Sequence, residues 1–335
     1  MRRRPSWLRG IFYLVSTALI ILAGFTVPLP YVETQPGTPT EIAPLIEIEG
    51  VEVTELHGSA SLLTIRQRDQ AVFPALFILL DGDRSLNPVQ EVFPPDIDRD
   101  DYHAAQRERF RQQFEVAAAV GAQAAGIEVE ISTAVVVMNV LRDSPADGVL
   151  RPGDVITAVD GEPLDDANQL QAITQAGSVG DELTLTVVRD GDEQEITATL
   201  GEIAGEDGAR LGIAIDDGVE RLELPFDVTL RDGTRIGGPS AGLMVALTVY
   251  DLLSDEDLLD GRVVVGTGTM GSNGTVGGVG GVPEKMVAAD AYGADLVLVP
   301  ESQLREALRS APEGLTVVGV ATLEEAIEVL REGSS

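Results

Sequence analysis

From Arg262 to Arg331, short apolar runs alternate with helix-length amphipathic ones, and this alternation narrows the fold more than any other feature. Arg262–Gly266, Asp295–Pro300 and Leu315–Val320 read as strands, the first of a fully buried type. Met286–Tyr292, Ser302–Ser310 and Leu323–Arg331 read as helices. Ahead of them, Phe226–Leu230 reads as a strand and Leu243–Leu253 as an apolar helix. The block is therefore α/β. At 335 residues the chain exceeds one ordinary domain, so two or three units are expected. With 44% hydrophobic but only 4% aromatic residues, their cores must be built from Val, Leu, Ile and Ala.

The formal net charge is −32, a balance that repels nucleic acid and anionic lipid and excludes nucleic-acid binding. Cysteine is absent, which rules out disulfides and Cys-based metal sites. The acidic run Asp96 to Asp101 lacks the Gly and terminal Glu of a calcium loop. No metal and no cofactor is expected. At the N-terminus, Arg2, Arg3, Arg4 and Arg9 precede an uncharged stretch from Gly10 to Val32. Residues 10–32 read as a transmembrane anchor behind a basic cytoplasmic tail, 1–9, with the rest of the chain outside the cytoplasm. A cleaved signal peptide is the alternative, although Pro28 and Pro30 end the run without a small-x-small cleavage site.

Two motifs carry chemistry. Gly237-Gly238-Pro239-Ser240-Ala241-Gly242 stands between the strand and the apolar helix. Small residues there let a substrate backbone come close, and a Ser at a helix start lies near the positive end of the helix dipole. A serine needs a base before it attacks a carbonyl. The only histidines, His57 and His103, lie far upstream. The chain also contains a single lysine, Lys285, in Gly280-Gly281-Val282-Pro283-Glu284-Lys285. Every other basic residue is Arg, which cannot give up its proton, whereas a desolvated Lys can serve as a base. A Ser-Lys pair needs no histidine.

These motifs, with Thr267-Gly268 between them, resemble the proteolytic domain of the Lon family of Ser-Lys proteases over roughly residues 205–333. The resemblance implies Ser240 as nucleophile and Lys285 as general base, with Thr267 supporting the lysine amine and Gly238, Pro239 and Ala241 shaping the turn around the serine. Two positions depart from the family pattern. Gly237 stands where many members have an acid, and Pro283 replaces the first Lys of the lysine motif. No Gly-x-x-x-x-Gly-Lys-[Ser/Thr] exists in a chain whose one Lys is at 285, so ATP is not an expected partner.

Residues 124–200 resemble a PDZ domain of the bacterial protease type, most specifically at Pro152-Gly153-Asp154-Val155-Ile156. The resemblance implies capture of an extended peptide on an open sheet edge, with Gly126 and Ile127 N–H groups as candidate carboxylate donors. Residues 33–123 combine a Pro- and Thr-rich linker, strand-like runs and a helix-like Asp101–Ala119, and show no chemistry. The expected fold is α+β multi-domain, with a transmembrane helix, a PDZ-like β-rich domain and a Lon-type α/β proteolytic domain. Anchor, PDZ and protease together resemble membrane-anchored PDZ–Lon proteases that cut loose or unfolded protein segments. Related Lon domains form rings, so a homo-oligomer is a further expectation. A peptide-binding protein with an inactive protease domain, and a Ser-Lys amidase acting on a cell-envelope substrate, remain as alternatives.

Overall fold

The computed structural model describes residues 6–78, 84–93, 99–164, 166–203, 208–231, 236 and 238–333. Asp96, Asp98 and Gly237 lie outside them.

The alternating block folds around a five-stranded sheet in the order Val317–Val320, Leu296–Pro300, Val263–Gly266, Ser59–Leu62, Thr40–Glu41. The first four are parallel and the last is antiparallel. Alternate residues of each strand face opposite sides, so consecutive valines enter different cores. Val264, Leu296, Leu298 and Val320 pack with the helices Gly242–Leu253, Arg99–Ala124 and Leu323–Glu332. Val265, Val297 and Val299 pack with the helices Val282–Tyr292 and Leu304–Ser310. Burial on both faces explains why these strands read as unbroken apolar runs.

Segments before residue 125 complete this body. Ser59–Leu62 pairs in parallel with Val263–Gly266, and Ile46–Glu49 pairs with Asp227–Leu230. Helix Arg99–Ala124 lies along Gly242–Leu253, close enough that a Cβ on Gly121 would stand 2.4 Å from the Ala246 carbonyl oxygen. A second sheet of three antiparallel strands, Ile65–Ala71, Pro28–Pro36 and Ser85–Pro88, packs against helix Val282–Tyr292.

Between the two halves sits a six-stranded sheet with its own core, Val135, Val137, Ile156, Leu170, Leu185 and Val187 among others. The chain enters through Glu130–Val140 and leaves through Ile213–Glu223, which pair antiparallel along their whole length. This unit is thus an insertion into the α/β body.

The reading of 10–32 as a membrane anchor is overturned. Among the described residues, no helix is long and apolar enough to cross a membrane. The first helix, Ser6–Thr26, stops inside the apolar stretch, and the chain then turns into the strand Pro28–Pro36. From Gly10 to Thr26 a helix rises only roughly 25 Å, short of a hydrocarbon core of about 30 Å. Val32 is buried in the N-terminal sheet instead. The fold class is therefore mixed α/β with no membrane-spanning helix among the described residues, and the single-pass membrane location falls with it.

Candidate active site

Ser240 lies in the short 3-10 turn Pro239–Ala241 that opens helix Gly242–Leu253. The turn is held from three sides. Gly238, at φ 89°, donates its N–H to the Gln106 carbonyl at 3.3 Å. Gly268 N–H donates to the Ser240 carbonyl at 3.0 Å, and Leu243 N–H donates to the Gly268 carbonyl at 3.1 Å. Gly242 lies against the Thr269–Met270 strand, where a Cβ would meet Met270 N at 2.5 Å. Gly242 is thus a packing requirement, because the helix start must press onto the neighbouring backbone, whereas Gly238 is needed for its positive φ. Ser240 and Pro239 are half-buried and Ala241 is buried.

Lys285 sits in the first turn of helix Val282–Tyr292, and its N–H donates to the Gly281 carbonyl at 3.1 Å. Gly281 caps that helix at φ 70°, a left-handed conformation that favours glycine. Pro283 occupies the first turn, where its missing N–H costs nothing. The lysine side chain is 2% exposed. Its Nζ donates to Thr267 Oγ1 at 2.8 Å, and Thr267 Oγ1 donates in turn to the Ser240 carbonyl at 3.3 Å. Thr267 is fully buried just after the strand Val263–Gly266, with its N–H on the Leu298 carbonyl. Burial pushes the Lys285 ammonium down to about 8, against an opposing pull from the Glu284 carboxylate. Among the described residues, no hydrogen bond joins Ser240 Oγ to Lys285 Nζ. The three residues nonetheless belong to one cluster, joined through the threonine hydroxyl. His57 lies away from this cluster, facing Asp257 at 3.5 Å on the surface.

In the inserted unit, Asp154 of the Pro-Gly-Asp-Val-Ile motif has a structural task. Its carboxylate accepts from Arg189 at 2.6 and 2.7 Å and from the Arg151 N–H at 2.8 Å. Burial works against that charge, but the Arg189 and Arg151 bonds outweigh it and hold the carboxyl below its ordinary value. Gly126 and Ile127 lie at the end of helix Arg99–Ala124, with their N–H groups on the Gln123 and Ala122 carbonyls at 3.0 and 3.1 Å. Ile127 packs against the α/β core. Both N–H groups are thus already bonded within the helix end.

One edge of the inserted sheet is the strand Ile213–Glu223, which has a neighbour on one side only and lies beside helix Ala167–Ala176. The strand is preceded by Leu211 and Gly212, whose N–H groups have no hydrogen-bond partner among the described residues. Gly212, at φ 78°, is pressed against Ser144, where a Cβ would stand 2.3 Å from the serine Cβ. Sequence reasoning passed over this segment because it follows the last recognisable PDZ strand. The Leu-Gly-Ile tripeptide at 211–213 was the available signal.

Residues 228–332 match the family model of the Lon protease (S16) C-terminal proteolytic domain, and residues 113–200 match the PDZ domain. The chain carries a Lon-type serine protease domain with a PDZ domain inserted in its body. It is 30% identical over 179 residues to the Lon protease of Clostridioides difficile, covering 49% of this chain and 22% of that protein. It is 31% identical over 142 residues to a probable periplasmic serine endoprotease, DegP-like, of Halomonas elongata, covering 35% of this chain and 29% of that protein. The chain thus spans less than a third of the length of either relative. Among solved structures, the PDZ domain of the SdrC-like protein from Listeria innocua is 27% identical, covering 24% of this chain and 92% of that chain at a TM-score of 0.24.

Proposed function

We propose that this chain is a serine endopeptidase that works without nucleotide, with Ser240 as nucleophile and Lys285 as general base. The observation that carries this reading is Lys285, a buried lysine whose amine is hydrogen-bonded to Thr267 beside the serine turn. A neutral amine that donates one hydrogen to Thr267 keeps its lone pair for the Ser240 hydroxyl. The hydroxyl attacks a peptide carbonyl, Lys285 takes the proton and passes it to the departing amine, and water then hydrolyses the acyl-enzyme. Backbone N–H groups around Ser240 stabilise the oxyanion. Thr267 orients the lysine and ties it to the serine backbone. Without a P-loop the chain has no means of unfolding a substrate with ATP, so it acts on extended or already unfolded segments.

The reading is tested with a serine-directed phosphonate probe and an intrinsically disordered protein, both without nucleotide. Labelling at Ser240 together with cleavage is expected. Cleavage without labelling would sink the serine mechanism, and a chain that does neither would be a capture protein.

The inserted PDZ domain presents the substrate. An extended peptide adds to the Ile213–Glu223 edge, its carboxylate on the Leu211 and Gly212 N–H groups and its last side chain toward Ile173 and Ile213. Gly212→Val collides with Ser144 at a left-handed position, displaces the Leu211–Gly212 backbone and is expected to weaken binding of a C-terminal peptide at least about tenfold, with Ser240 labelling retained. Calorimetry with a peptide and its C-terminal amide checks this. Equal binding of acid and amide would exclude carboxylate capture.

A further inference from the structure

Glu284 precedes Lys285 in the helix and is itself only 5% exposed. A carboxylate so far from water needs a donor. Its donor comes from a remote part of the chain: Ser85 Oγ donates to Glu284 Oε1 at 2.5 Å. Ser85 opens the edge strand Ser85–Pro88 of the N-terminal sheet. Asn87 Nδ2 donates both to Ser85 Oγ and to Thr34 Oγ1, each at 3.1 Å. With Asn87 filling an acceptor site on the serine oxygen, the serine proton is left to point at the carboxylate. The same sheet grips the helix start a second time, where Ile65 packs onto Gly281 so tightly that a Cβ would stand 2.8 Å from Ile65 Cγ2.

The geometry points to Glu284 as a positioning residue that sets the proton affinity of Lys285, its carboxylate held in place by Ser85 of the N-terminal sheet. This rests on the Ser-Lys reading above. Glu284 and Lys285 are consecutive in the helix and both are buried, with no direct ion pair between them. Across a dry interior the carboxylate still favours the protonated lysine and opposes the desolvation that drives the proton off. Among the described residues, Glu284 is the charged group that acts on the amine. Thr267, Ser240 and Ser85 are uncharged. Arg84 of the sheet pairs with Glu33 at 3.0 Å, and Asp290, further along the helix, is exposed. The N-terminal sheet therefore helps to decide the pH at which the base is free.

The single lysine makes the test direct. Full-length protein labelled at the lysine ε-carbon gives one side-chain NMR resonance, and that resonance is titrated without any assay of activity. Glu284→Gln keeps the shape and an acceptor for Ser85 but removes the charge. Its lysine midpoint is expected to fall by about one unit. Ser85→Ala releases the carboxylate and is expected to lower the midpoint by a smaller amount. An unchanged or raised midpoint in Glu284→Gln overturns the inference, and an unchanged midpoint in Ser85→Ala overturns the part given to the sheet. The acid limb of kcat/KM is followed in the same variants. If the limb moves with the lysine, both readings stand. If the lysine midpoint moves and the limb does not, Glu284 keeps its role and Lys285 loses its own.

Discussion

Ser240→Ala and Lys285→Arg each lower cleavage of a disordered protein by at least about 1,000-fold, and the double variant is no worse than either single one. The reason is that nucleophile and base act as one unit. Removing Oγ leaves nothing to form the acyl-enzyme. Replacing the amine with a guanidinium keeps a positive charge but provides no lone pair at any accessible pH. His57 offers no substitute base, since it is on the surface against Asp257. The wild-type rate should rise with pH through a midpoint near 8, where burial places the Lys285 amine. A Lys285→Arg protein that retains cleavage would reject the dyad. Additive losses in the double variant would show that the two residues work separately.

Lys285→Met raises the thermal stability of the protein at pH 7 while abolishing cleavage. The lysine is 2% exposed, and its folded value of about 8 lies below the model-peptide value near 10.4. The unfolded chain therefore binds the proton more tightly than the folded one. The cost of burying the charge is fully present below pH 8 and is relieved as pH rises from 8 toward the unfolded value. It amounts to about 3 kcal/mol at pH 7. Met fills a similar volume with no charge, and Thr267 keeps the hydrogen bond it donates to the Ser240 carbonyl. Calorimetric melts of both proteins between pH 7 and pH 10 should show a gap that closes as pH rises. A gap that widens with pH, or a destabilised variant at pH 7, would mean that the lysine is not held against its own charge.

The functional residues of such a site are readable from a chain only in part. Ser240 and Lys285 stood out because each is chemically singular: one serine in a Gly-Pro-Ser-Ala-Gly turn and one lysine in the whole protein. The strands and helices after residue 226 were readable because two-sided burial imposes continuous apolar runs and 3.6-residue stripes. The N-terminal helix misled for a related reason. Hydropathy from Gly10 to Val32 is continuous, but Pro28 starts a strand whose inner face is covered by protein, and composition alone does not separate those two ways of leaving water.

Other features had no local signature at all. Nothing in Ser59–Leu62 announces that it pairs with a strand two hundred residues later, because parallel pairing joins segments that share no turn. Nor does Ser85 announce that it serves Glu284, since that bond exists only once the N-terminal sheet has docked on the helix. The sequence by itself determined the chemical kind of each element: an α/β block, a PDZ-like stretch, and a serine and a lysine in motifs without a histidine. The tertiary structure alone decided that residues 40–124 complete the α/β body, that Ile213–Glu223 is an outer strand of the PDZ sheet, and that Lys285 is buried and bonded to Thr267. Type follows from local periodicity and side-chain chemistry, whereas proximity, burial and proton affinity arise only when distant segments exclude water together.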